Sequence, residues 1–328
     1  MRYHVLITTA LITLALAAGA FGEWTYEGKW GSYGSGNGAF ASLNNVAVAP
    51  TSGYVYVADY GNNRVQYFTS TGSYLGKWGS YGSGNGQFKW LTGIAVSPAN
   101  GYIYTIDFFN TRVQYFTRTG SFVGKWGTPG HGGHGQLDDP TSVAVAPNGN
   151  VYTAEWGTNR IQRFTATGSF LNEWGAKGAG NGSFDGPYCV VVAPASGNVY
   201  VSEILNHRIQ YFTAAGSYLG KWGSPGTGNG KFNEPRGVAI APSGGTVFVA
   251  DHWNHRVQYF TSTGSYLGKW GAFGEGDGQF LNPYGLCLNA SGSRLYVADC
   301  GNRRIQYFNR NMPAVEPASL GRVKALFR

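Results

Sequence analysis

Short runs in which apolar and polar positions alternate recur along almost the whole chain. Val55-Tyr-Val-Ala-Asp59, Arg64-Val-Gln-Tyr-Phe68 and Tyr74-Leu-Gly-Lys-Trp78 follow one another, with Gly-containing turns such as Ser52-Gly53 and Thr71-Gly72-Ser73 before and between them. Alternation over about five residues, rich in β-branched and aromatic side chains, predicts strands rather than helices. A fourth run, Val46 to Ala49, is apolar throughout and ends at Pro50, as its counterparts end at Pro98, Pro147, Pro194 and Pro242. It is expected to form the innermost strand, a, with the other three as b, c and d. No segment between residues 24 and 308 shows a helical period.

The four-run unit repeats six times. Asp59, Asp107, Glu155, Glu203, Asp251 and Asp299 stand 48 residues apart, and an Arg follows five residues after each, from Arg64 to Arg304. Trp30, Trp78, Trp126, Trp174, Trp222 and Trp270 keep the same step. A period of about 40 to 50 residues with strand content predicts a β-propeller with one blade per repeat. The fold expectation is therefore all-β, a six-bladed propeller of four-stranded blades. After Phe308 no run resembles Tyr-Leu-Gly-Lys-Trp, whereas an unattached one, Thr25-Tyr-Glu-Gly-Lys-Trp-Gly31, stands at the beginning. The N-terminal strand, about residues 24–31, is expected to complete the sixth blade and so leave no open edge in the ring.

The runs Val-Tyr-Val-Ala-Asp-x-x-Asn-x-Arg-Val-Gln-Tyr-Phe, Pro-x-Gly-Val-Ala-Val and Gly-x-Phe resemble NHL repeats, and the resemblance covers residues 21–308. The Gly-His and Trp-Asp marks of WD40 blades are lacking. The resemblance implies a fold and several occupations: NHL propellers serve as RNA readers, protein-binding modules, sensor domains and, in the amidating lyases, metalloenzymes.

The setting narrows the choice. Arg2 and His4 precede the apolar run Val5 to Ala18, and Ala18-Gly19-Ala20 suits a cleavage site, so residues 1–20 are expected to be a signal peptide. The protein is then secreted, periplasmic or at the cell surface, and not membrane-spanning once the signal is removed. The formal charge of +8 is spread over the repeats, with Lys29, Lys77, Lys125, Lys221 and Lys269 recurring on strand d and Glu173 in the fourth copy. A distributed charge argues only weakly for a nucleic-acid partner, and export makes one less expected still. Residues 309–328 form a basic tail outside the ring.

Because the acidic residue and Arg occur in every blade, they are assigned a structural role, in which the carboxylate ties the turn from strand b to strand c and the Arg pairs with it or with a neighbouring carbonyl. As partly exposed pairs they would contribute about 0.2 to 1 kcal/mol each. The long Gly-rich loop from d to the next a, such as Ser80 to Thr92, lacks the Lys-Ser or Lys-Thr of a phosphate loop, so its glycines read as turn chemistry.

Function is expected where the copies differ, on the face carrying the b-to-c and d-to-a loops. The b-to-c loops bring Tyr60, Phe108, Phe109, Trp156, Ile204, Leu205, His252, Trp253 and Cys300. The positions leading into strand a bring Asn45 or its neighbour, Thr92, Thr141, Tyr188, Arg236 and Tyr284. Ligand contacts are assigned to Tyr60, Phe108, Phe109, Trp156, Tyr188, Leu205, Arg236, His252, Trp253 and Tyr284. Aromatic rings with polar groups at their edges suit a sugar face, a peptide or a partner protein. The competing reading for any one ring is packing between blades.

No cofactor is assigned. A zinc or calcium site would have to draw on His131, His134, His207 or His252, whose spacing is not diagnostic. The amidating lyases place zinc-binding histidines before strand a, where this chain has Thr, Tyr and Arg. No catalytic residue is assigned either, since neither a Gly-x-Ser-x-Gly elbow nor a Cys-His pairing is present. The three cysteines suggest no disulfide framework, and hairpin register sets Cys287 opposite Tyr296 rather than Cys300. The expectation is a rigid binding platform for an extracellular protein or glycan; a metal-dependent lyase or lactonase-like enzyme is the rival, and an RNA reader stands third.

Overall fold

Each repeat folds as a four-stranded antiparallel meander because three short turns separate four strand-forming runs. The computed structural model describes residues 23–311. The signal peptide expected at residues 1–20 and most of the basic tail lie outside the described residues. In the first blade the strands are Asn45–Val48, Val55–Asp59, Arg64–Phe68 and Tyr74–Trp78, hydrogen-bonded in that order. Four more sheets repeat the order. The sixth places Glu23–Trp30 beside Arg304–Asn311, followed by Arg294–Asp299 and Pro283–Leu288. The N-terminal strand therefore completes the last blade, as expected. Within the compact unit Tyr26–Phe308 the ring is a six-bladed propeller. The described residues 23–25 and 309–311 cluster separately, where Thr25 Oγ1 meets the Asn309 carbonyl at 3.5 Å.

The blades are locked by two recurrent contacts. The Trp ending each outer strand packs against the next blade: Trp30 lies 5.7 Å from Phe68, and Trp78 lies 5.7 Å from Phe116. Gly72, at φ +97, presses directly against the Trp30 indole, so a Cβ there would be both strained and in collision. In five blades a buried tyrosine of the second strand donates to the carbonyl of the next blade's outer turn. Tyr56 reaches Arg118 at 3.1 Å, and Tyr296 crosses the closure to Ser70 at 2.9 Å.

The acidic residue and Arg prove to be a buried bracket, which corrects the expectation of partly exposed pairs. All six carboxylates are 0 % exposed, and the arginines 5–7 %. Asp59 accepts from Arg64 Nε at 2.7 Å, Asn62 Nδ2 at 2.9 Å, Gln66 Nε2 at 3.2 Å and the Ala41 amide at 3.2 Å. Arg64 in turn donates to the carbonyls of Ser35, Gly36 and Ala39 at 2.6, 2.8 and 2.9 Å. The set thus fastens the b-to-c turn to the long d-to-a loop. Gln66, fully buried, completes it by donating to Ala39 O and accepting from the Gly38 amide. A charge buried among this many partners is costly to orphan, so the bracket holds more of the fold than a surface pair would. In the third blade Thr158 replaces the Asn, and Arg160 also reaches Glu173, the residue standing where other blades have Lys.

The loops need this fastening because they have little other regular structure. Each closes on itself through a small parallel bridge, such as Tyr33 with Phe40, and is pinned by a buried apolar side chain, Phe40 here and Leu137 in the third blade. Two short 3-10 turns, Tyr60–Asn62 and His252–Asn254, shape b-to-c loops. Among the described residues no helix is long and apolar enough to cross a membrane.

Candidate functional site

The residues leading into the innermost strands line the mouth of the central channel, and here the six copies diverge. Arg236, from the fifth blade, lies between two tyrosines of its neighbours. Its guanidinium carbon is 4.8 Å from the centre of the Tyr188 ring and 4.2 Å from that of Tyr284. The two rings stand 6.3 Å apart at 70°. Across the ring, Asn44 Nδ2 of the first blade donates to the Tyr188 hydroxyl at 3.3 Å. The expected "Asn45 or its neighbour" is therefore Asn44, while Asn45 caps its own strand by accepting from the Val46 amide.

Two features of the sequence set this arrangement. Ser202 stands where four other second strands carry Ala, and its hydroxyl donates to the Arg236 carbonyl at 2.6 Å. Gly237 allows the sixth blade to close in, because a Cβ there would fall on the Tyr284 carbonyl oxygen. Arg236 Nη2 meets Glu234 at 3.2 Å, while its buried Nε has no hydrogen-bond partner among the described residues.

Beside this stack opens a cavity of about 280 Å³. Tyr60, Phe108, Trp156, Tyr188, Arg236 and Tyr284 all line it. Thr92, Thr141, Asn44 and Cys300 add polar atoms, and no acidic side chain contributes to the wall. Thr141 Oγ1 is held by the carbonyls of Ala154 and Pro187 at 3.3 and 3.2 Å, so it is fixed in place.

The remaining assigned contacts sit elsewhere on the same face. Phe109, Leu205 and Trp253 are exposed on the rim rather than in the cavity. His252 is 2 % exposed and lies edge-on 4.7 Å from Tyr284, where it supports the stack from below. Burial first, and then the nearby Arg236 charge, lower its pKa to about 3, and its Nδ1 has no partner among the described residues. Burial also pushes the Tyr60 hydroxyl up to about 12 and raises Tyr188, Tyr284 and Cys300. Apart from the Arg236–Glu234 ion pair, these mouth groups are neutral near pH 7.

Trp90 was not singled out in the sequence. It lines the cavity, packs 5.2 Å from Tyr60 and 4.1 Å from Phe109, and adopts φ +63. A left-handed backbone is uncommon for a bulky residue; the equivalent residues of four other blades share it, so the backbone belongs to the repeat and the indole is the departure. The signal was available: other blades have Asp139, Gly186, Glu234 and Asn282 at this point, residues small or polar, and Trp90 is the exception.

The other candidate histidines have separate employments. His207 Nδ1 accepts from the Glu234 amide at 3.1 Å and His255 Nδ1 from the Asn282 amide at 3.2 Å, as Asn63 Oδ1 accepts from Trp90 at 2.8 Å. These ties join one blade's turn to the next blade's loop. His131 is exposed and pairs with Asp138 at 2.8 Å, and His134 stacks 4.3 Å from Phe170. Among the described residues no three His, Cys, Asp or Glu side chains converge as a metal-binding set. All three cysteines are free, with Cys287 opposite Tyr296 as expected.

Two other hollows lie at the opposite end. One of about 340 Å³ is rimmed by Pro50, Pro98, Pro147, Pro194 and Pro242 and is largely apolar. A larger one of about 450 Å³ runs between the first two blades near Asn100 and Arg118. Both are built mainly from residues that recur with the repeat.

Comparison with known proteins agrees with this architecture. The NHL repeat profile matches residues 137–164 and 232–260, and a profile described as a 6-bladed beta-propeller matches residues 26–129. The chain is a six-bladed β-propeller built of NHL repeats. A search of curated proteins found no match. Among solved structures, a streptogramin B lyase is 13 % identical with a TM-score of 0.61, covering 88 % of this chain and 98 % of its own. A Kuenenia stuttgartiensis hydrazine synthase chain is 13 % identical at 0.59, covering 86 % and 100 %. A Bacteroides thetaiotaomicron protein of unknown function is 15 % identical at 0.66, covering 88 % and 76 %. At these identities the likeness is one of fold.

Proposed function

We propose that the protein is an exported binding platform whose ligand face is the aromatic mouth of the propeller, and that its partner is an extracellular glycan or protein. The observation that carries this reading is the contrast within each blade: the bracket is repeated six times, while the residues above it form one asymmetric cavity around Arg236. A repeated feature serves the repeat; a rigid, non-repeating aromatic pocket with a few fixed polar groups has the make-up of a recognition site. Rim residues Trp253, Phe109 and Leu205 would extend the contact outward. Export rests on the apolar run Val5 to Ala18 and on the small residues after it.

The test is a glycan and secreted-protein array probed with the mature protein and with a Trp156→Ala/Trp253→Ala variant. The expected result is a specific signal that the variant loses while its melting temperature stays within a few degrees. A signal indifferent to both substitutions would place the ligand elsewhere.

A further inference from the structure

We infer that the mouth cavity takes an acidic sugar, a hexuronate unit of a glycan, with its carboxylate on Arg236; this rests on the binding-platform reading and names its ligand class. Size comes first. About 280 Å³ is at the small end of ligand pockets, room for one ring rather than a long side chain and its neighbours. The walls come next. Tyr188 and Tyr284 are occupied with Arg236, which leaves Tyr60, Trp90, Phe108 and Trp156 to offer flat apolar area to the C–H face of a pyranose. Asn44 and the fixed Thr92 and Thr141 supply polar edges for hydroxyl groups.

The charge decides between an acidic and a neutral sugar. The Arg236 side chain is 14 % exposed and its carboxylate partner, Glu234, is engaged through Nη2 alone. The Arg236 guanidinium lines the cavity, and its planar fork of donors is the group that a carboxylate recognises. No acidic side chain lines the cavity itself; Glu234, already paired with Arg236, is the one with which an incoming carboxylate would share the guanidinium. Clamping between two tyrosine rings fixes the fork in advance, so little side-chain freedom is lost on binding.

The experiment is calorimetric titration of the mature protein with trigalacturonate, a glucuronate-terminated disaccharide, the matching neutral oligosaccharides, benzoate and inorganic phosphate. The uronates are expected to bind at least about tenfold more tightly than their neutral parents, as loss of a charged hydrogen-bonded pair implies. Arg236→Gln should remove that preference and Arg236→Lys should restore part of it. Trp90→Asn supplies an independent variant, since Asn suits a left-handed backbone and stands at the equivalent point in the sixth blade; it should fold and lose uronate binding. Equal affinity for neutral and acidic sugars would overturn the proposal, as would benzoate or phosphate binding better than the uronates. If no sugar binds but a protein partner is lost in the Trp156→Ala/Trp253→Ala variant, the sugar assignment fails and the platform stands. If nothing depends on Trp156 or Trp253, both fail.

Discussion

The frame of the propeller and its mouth are made from the same repeat, yet they obey different rules. In the frame, Asp59, Arg64, Asn62 and Gln66 recur with nearly the same distances around the ring; Asp251, Arg256, Asn254 and Gln258 form the same set. The carboxylate, guanidinium and Gln amide there answer one another and are buried. At the mouth, one position per blade reads Asn44, Thr92, Thr141, Tyr188, Arg236 and Tyr284, and two buried nitrogen atoms, Arg236 Nε and His252 Nδ1, have no partner among the described residues. The bracket serves every blade alike, whereas the mouth differs from blade to blade and so carries chemistry that no single repeat supplies.

The separation can be broken most forcefully at the closure. Removing residues 26 to 31 takes away the sixth blade's outer strand and the Trp30 packing on Phe68 and Tyr296. The ring should then melt far below the wild type in differential scanning calorimetry, and an unchanged melting temperature would refute the closure. A single bracket comes next. Asp59→Ala leaves Arg64 buried without its carboxylate and is expected to cost about 3 to 5 kcal/mol in chemical denaturation. A loss below about 1 kcal/mol would mean that the bracket acts like a surface pair.

Gly237→Ala tests the join between frame and mouth. The added methyl group meets backbone, so a loss of about 1 to 3 kcal/mol is expected together with weakened ligand binding. Binding retained at full strength would show that close approach of the fifth and sixth blades does not shape the cavity.

A smaller effect concerns pH. His252 has a folded pKa of about 3 against an ordinary value near 6.5, so the native state binds fewer protons than the unfolded chain between those values. Its contribution is full above about pH 6.5 and fades as pH falls, by up to about 1.4 kcal/mol per unit. His252→Phe should flatten the acid limb of the stability profile between about pH 6 and 4; an identical slope in the variant would contradict the neutral, buried assignment.

Legibility followed the same division. The blade count, the strand pairing and the closure were readable because they depend on spacing, which Trp30 through Trp270 mark at a fixed step. The burial of the bracket was not, since a charged pair at a turn looks the same in sequence whether solvent or a folded loop covers it; Ser35, Gly36 and Ala39 supply the cover through their carbonyls. At the mouth, residue type identified Tyr188, Arg236 and Tyr284, but stacking between blades is a tertiary event. His252 illustrates the limit: its loop position suggested a surface contact, and packing against Tyr284 turned it inward. Trp90 shows the converse, a bulky indole in a column whose left-handed backbone otherwise carries Asp139, Gly186, Glu234 and Asn282.

Amide hydrogen exchange of the protein with and without its best array ligand tests the division most directly. Protection confined to the loops around Tyr60, Trp90, Phe108 and Trp156, with the frame unchanged, is the predicted result. Protection at the opposite end, around Pro50, Pro98 and Pro147, would contradict it and move recognition to the repeat-built side of the channel.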